Sequence, residues 1–134
     1  MSAASLPSLV QRFFTQRLLE QRGLSSHTVA SYRDTFRLLL AFATKHIGRA
    51  PSKLRIEDFD ASLIEEFLQH LEQGRGNSVR TRNTRLVAVH AFFRFVTVSE
   101  PALFLQCQHI LAISSKRCEH GPVVFSPRAR PQLW

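Results

Sequence analysis

Six consecutive residues, Arg80, Thr81, Arg82, Asn83, Thr84 and Arg85, combine three guanidinium groups, two hydroxyls and an amide, with no acid among them. The set suits nucleic acid. Guanidinium binds phosphate oxygens in a bidentate fork and stays charged at every accessible pH, and Arg, Thr and Asn can also reach base edges. Thr28, Ser31, Arg33 and Arg37 form a second group of the same character. Thr28 and Ser31 at a helix start can equally serve the backbone, and Arg33 and Arg37 beside Asp34 can form a solvated face.

Other chemistry is less well supported. Tyr32, the single tyrosine, falls in an apolar helical stripe and reads as core rather than as a nucleophile. Cys107-Gln-His109 and Cys118-Glu-His120 look like ligand pairs, but helical residues two apart point about 200° away from each other, so Cys107 and His109 cannot share a metal while their helix persists. His70 and His90 read as surface or satisfied core histidines. No metal, cofactor or small-molecule substrate is expected. Two cysteines build no disulfide framework, and a reducing, cytoplasmic setting is the expectation.

The charge map supports a polyanionic partner. The 134 residues carry a net charge of +8, and fifteen of the eighteen basic residues are Arg. Residues 1–55 sum to +7, residues 57–72 to −6, residues 75–98 to +5 and residues 99–134 to +2. Two basic blocks around an acidic one predict a domain with a basic and an acidic face, which would orient it on DNA. The longest apolar run, Leu38 to Ala43, is too short to cross a bilayer, so no membrane partner is expected. The apolar content of 44% supports one domain with a real core.

Helical periodicity dominates, and the chain reads as all-α with four to five helices. The first is expected from about Leu6 to Arg22, with Pro7 in its opening turn and Gly23 as its stop. Ser25 or Ser26 caps a second, with Val29, Tyr32, Phe36, Leu39, Leu40 and Ala43 inward and an end near Gly48. After a loop containing Pro51 and a short turn at residues 56–59, Asp60 or Ser62 starts a third, with Leu63, Ile64, Phe67, Leu68 and Leu71 inward. Asn77 or Ser78 caps a fourth, whose stripe is Leu86, Val89, Phe93 and Val96. Arg82 and Arg85 lie on the side of that stripe, which makes sense if the helix start protrudes beyond the bundle. A fifth opens at residues 99–101 and runs to about Ile113. Pro122, Pro127 and Pro131 mark residues 114–134 as an irregular linker or tail beyond a helical domain of residues 1–113.

These residues carry a resemblance. Ser25-Ser-His-Thr28-Val-Ala-Ser-Tyr32-Arg-Asp-Thr-Phe36, followed by Arg82-Asn-Thr-Arg85-Leu-Val-Ala-Val-His90-Ala-Phe-Phe93-Arg-Phe, resembles the N-terminal core-binding domain of tyrosine recombinases, the phage-integrase family. Glu100-Pro101 and the run from Ile110 to Arg117 resemble the last helix and interdomain linker of transposon-type members. The resemblance implies a SAM-like bundle forming half of a C-shaped clamp on double-stranded DNA, its second and fourth helices facing the major groove. It implies Thr28, Ser31 and Arg33 on one helix, and Arg80, Thr81, Arg82 and Arg85 on the other, as DNA contacts, with other recombinase protomers as further partners.

The family's catalytic domain, with its tyrosine nucleophile, arginines, lysine and histidines, is expected to be absent, so the chain is expected to bind DNA without catalysis. His46-Ile-Gly-Arg49 fits the spacing of that domain's His-x-x-Arg motif but reads as surface, because it precedes Pro51 at a helix end. The tail from Ser114 is expected to hold a remnant of the catalytic domain's start, with the departure at Ser126 marking a truncated gene. Two alternatives stay open: a helical protein-interaction adaptor working through the acidic third helix, and a split recombinase whose catalytic half is a separate chain.

Overall fold

A computed structural model describes residues 6–18 and 23–117. The expected end of the first helix at Arg22, and Cys118, His120 and the tail beyond Arg117, lie outside these residues.

Each helix starts and stops where side-chain chemistry allows it. Helix α1 (Leu6–Arg12) continues through a wider turn, Phe13–Arg17. Helix α2 (Ser26–Ala43) is capped by Ser25, whose Oγ accepts the Thr28 N–H at 3.1 Å, and runs into a wider turn, Thr44–Gly48. Gly48 ends it with φ of 83°, a backbone state that side chains with a Cβ resist. Two short 3₁₀ turns, Pro51–Lys53 and Ile56–Asp58, fill the loop. Asp60 caps α3 (Ala61–Gln69) by accepting the Leu63 N–H at 2.9 Å. That helix continues through a wider turn, His70–Gly74, and closes with the Asn77 N–H reaching back to the Leu71 carbonyl at 2.9 Å across the left-handed Gly76. Helix α4 (Val79–Ser99) is capped by Ser78, and α5 (Phe104–Leu111) follows a 3₁₀ turn at Pro101–Leu103.

The result is an all-α bundle, with no strand among the described residues. Helix α4 is its axis and packs against α2, α3 and α5. The expected stripe of Leu86, Val89, Phe93 and Val96 is buried, but Ala88, Phe92 and Phe95 are buried too, so the apolar face is wider than the stripe. The Phe92 ring lies 5.5 Å from Phe13, 5.0 Å from Phe36 and 5.1 Å from Phe93, each in the edge-on geometry aromatic quadrupoles favour. Tyr32 is half-buried, its ring stacked on Phe13 at 6.3 Å. No helix among the described residues is long and apolar enough to cross a membrane.

Helix α5 is docked by polar as well as apolar contacts. Cys107 and Ile110 are buried against the bundle while His109 is exposed, the divergence that helical spacing predicts. Gln106 Nε2 donates to the carbonyls of Ile56 and Phe59 at 2.9 and 2.7 Å, holding the loop turn to the helix. His90 Nε2 donates to the Ile110 carbonyl at 3.1 Å.

Burial pushes the His90 imidazole below its ordinary value of 6.5, and nearby Arg94 pushes it the same way, against the hydrogen bond to Ile110. The folded chain therefore takes up this proton later than the unfolded one as pH falls. The stabilising contribution is complete above pH 6.5 and is lost as pH falls through the lowered folded value. Thermal unfolding between about pH 7.5 and about pH 5 should show a falling midpoint, and His90→Gln, which can still donate to Ile110, should flatten that slope. Equal slopes in both proteins would remove His90 from the account.

Candidate nucleic-acid interface

The starts of α2 and α4 lie side by side. His27, Thr28, Ser31 and Tyr32 from α2, with Thr84 and Val87 from α4, line an open groove of about 320 Å³. Arg80, Thr84 and Val87 recur at helical spacing, so they share one face of α4, and the Thr84 Oγ1 donates to the Arg80 carbonyl at 3.0 Å. Arg80 is exposed, and its guanidinium makes no hydrogen bond or ion pair among the described residues. Val87 is 51% exposed, an apolar side chain open to solvent in the middle of this face.

The remaining expected contacts divide. Thr28 lies in the groove wall, and its hydroxyl also meets the Ser25 Oγ at 3.1 Å, so it serves the helix cap as well as the surface. Ser31 lies in the same wall, and its carbonyl accepts from the Thr35 hydroxyl at 2.9 Å. Arg33 turns away from Thr28 and Ser31 and lies over the Phe14 ring at 5.9 Å, exposed to solvent. Thr81 is half-buried, with its N–H and hydroxyl both engaged by the Ser78 cap.

Arg82 and Arg85 correct the expectation that the start of the fourth helix protrudes. Arg82 is only 7% exposed, and its Nη1 donates to the Asn83 Oδ1 at 2.9 Å and to the Ser114 carbonyl at 3.2 Å. The Arg85 side chain is 16% exposed. Its Nη1 donates to the Ser31 carbonyl at 3.3 Å and the Thr35 hydroxyl at 3.2 Å, and its Nη2 pairs with Asp34 Oδ2 at 3.3 Å. The other Asp34 oxygen takes Arg37 at 3.2 Å. The physical reason is that α2 and the segment after α5 cover the first turns of α4. Two guanidiniums on the core side then need internal acceptors; carbonyls, the Thr35 hydroxyl and the Asp34 carboxylate meet their Nη atoms, while each Nε is buried with no hydrogen-bond partner among the described residues. The acid absent from α4 itself comes from α2.

His46 and Arg49 are surface residues, as their place before Pro51 predicts. His46 pairs with Glu66 at 2.8 Å and Arg49 with Asp58 at 3.0 Å, so the two point to different acids.

Residues 10–99 match the family model described as phage integrase, N-terminal SAM-like domain. The chain belongs to this family. Two relatives from Sinorhizobium fredii extend the likeness. The chain is 50% identical over 125 residues to a protein named "Putative integrase/recombinase y4rC", covering 93% of this chain and 38% of that one. It is 41% identical over 112 residues to y4rD, which carries the same description, covering 84% of this chain and 40% of that one. The chain thus spans about two fifths of the length of these curated relatives. No solved structure matches it. Within this integrase-family domain, the α2–α4 groove joins Thr28, Ser31 and Thr84 on one surface, while Arg82 and Arg85 lie behind it. Thr84 and Val87 had a sequence signal, their spacing from Arg80 on one helical face, but the groove needs the neighbouring helix to be seen.

Proposed function

We propose that the chain binds double-stranded DNA through the α2–α4 face, as the N-terminal half of a recombinase clamp, and does not cleave DNA alone. The observation that carries this reading is the surface on which the exposed Arg80 guanidinium continues the line of Thr84, beside Thr28 and Ser31. Arg80 supplies phosphate affinity and the hydroxyls supply short-range hydrogen bonds, while Arg33, turned toward Phe14, lies off this face. Arg82 and Arg85 hold this surface in shape rather than touch DNA. Tyr32 lines the groove with its ring stacked on Phe13, and the non-catalytic reading assigns it to packing rather than to attack on a phosphate. The proteins y4rC and y4rD, each named "Putative integrase/recombinase", favour recombination as the setting; other recombinase protomers are further partners on this reading.

A gel-shift titration over salt tests the reading. Binding should weaken steeply with ionic strength, and Arg80→Ala should lower affinity roughly threefold to tenfold and reduce the salt slope by about 1. Salt-independent binding, or an unchanged slope in the variant, would remove the α4 face from the interface. A covalent protein–DNA adduct would overturn the non-catalytic part.

A further inference from the structure

Helix α5 ends at Leu111, and residues 114–117 then lie exposed against the first turns of α4. An exposed irregular segment ordinarily satisfies its backbone with water. Here α4 supplies the partners. Asn83 Nδ2 donates to the Lys116 carbonyl at 2.7 Å, and the Lys116 N–H donates to Asn83 Oδ1 at 2.9 Å. One side-chain amide thus meets both main-chain groups of one residue, the exchange that paired strands make. Arg82 bonds the same Asn83 oxygen and the Ser114 carbonyl, so it orients the amide and holds the segment at a second point. Lys116 Nζ reaches Glu72 Oε1 at 2.7 Å across the cleft between α3 and this segment.

We propose that Asn83, oriented by Arg82, is a positioning residue that latches residues 114–117 to the start of α4 and so fixes the direction in which the chain leaves the bundle. The two main-chain bonds restrict the segment in both position and rotation, which an ion pair on a long lysine stem does not. The exit direction is thereby referred to the same helix start that shapes the α2–α4 face. The latch depends on the hydrogen bonds alone and stands whether or not that face binds DNA.

Limited trypsin digestion of the full chain tests it, because cleavage after Lys116 or Arg117 requires this backbone to detach and extend. In Asn83→Ala, cleavage at these two sites should rise about tenfold relative to cleavage after Arg55 and Arg75, with helical circular dichroism unchanged. Glu72→Gln, which removes only the lysine's charge partner, should change the ratio by less than about twofold. An unchanged ratio in Asn83→Ala, or an equal rise at every site, overturns the latch. DNA affinity in Asn83→Ala should stay at the wild-type level. Tighter binding would make the segment a gate over the α4 start and overturn a pure positioning role. Absence of DNA binding in the wild type would defeat the proposed function while the digestion pattern still decides the latch.

Discussion

Truncating Phe92 to alanine is expected to destabilise the domain by about 3–5 kcal/mol, the range for removing a fully buried aromatic ring. Phe92 is 1% exposed and touches rings from the turn after α1, from α2 and from its own helix, so no single neighbour can shift to refill the space. The lost transfer energy and the cavity left among Phe13, Phe36 and Phe93 add together. Chemical denaturation read by circular dichroism measures this directly. Phe104→Ala is the control, since Phe104 is 54% exposed and its loss should stay within about 0.5 kcal/mol. If Phe92→Ala costs no more than Phe104→Ala, Phe13, Phe36, Phe92 and Phe93 do not form the packed cluster described.

Arg85→Ala is expected to cost about 1–3 kcal/mol of stability and to leave DNA affinity close to wild type at temperatures where the variant is folded. Three contacts to α2 disappear together, and the Asp34 carboxylate, half open to solvent, keeps Arg37. That retained partner keeps the loss below the range for a fully buried pair. Arg80→Ala should show the opposite pattern, weaker DNA binding with an unchanged unfolding midpoint. The two variants separate an arginine that joins helices from one that faces solvent. Loss of DNA affinity in Arg85→Ala without loss of stability would return Arg85 to the interface.

Much of the bundle was legible in the residues. Ser25, Asp60 and Ser78 can each present an oxygen to a backbone N–H three residues on, which places three helix starts without reference to the rest of the chain. Gly48 and Gly76 mark ends for a reason equally local. The α4 stripe was only partly legible. Leu86, Val89, Phe93 and Val96 follow a single-faced period, whereas Phe92 and Phe95 fall beside it and look like excess apolar residues. They are buried because α2, α3, α5 and the turn after α1 all pack on α4, which widens its inward face beyond one stripe while Arg80, Thr84, Val87 and Arg94 stay exposed.

The candidate site divides along the same line. Residue types alone pointed to a polyanion, since guanidinium and hydroxyl chemistry belongs to the side chains wherever they stand. Which arginines face solvent does not follow from type or spacing. Arg80, Arg82 and Arg85 lie within six residues, and helical period put the last two on the apolar side without saying what would meet them. The answer came from distant parts of the chain, Asp34 and Thr35 from α2 and the carbonyl of Ser114 from beyond α5. The sequence by itself thus determined the helices, the family and the basic charge that suits a polyanion, because these depend on short-range chemistry and composition. Only the tertiary structure decided that Arg80 has no partner among the described residues while Arg82 and Arg85 are held, because a guanidinium is released or engaged by acceptors that packing brings to it from elsewhere in the chain.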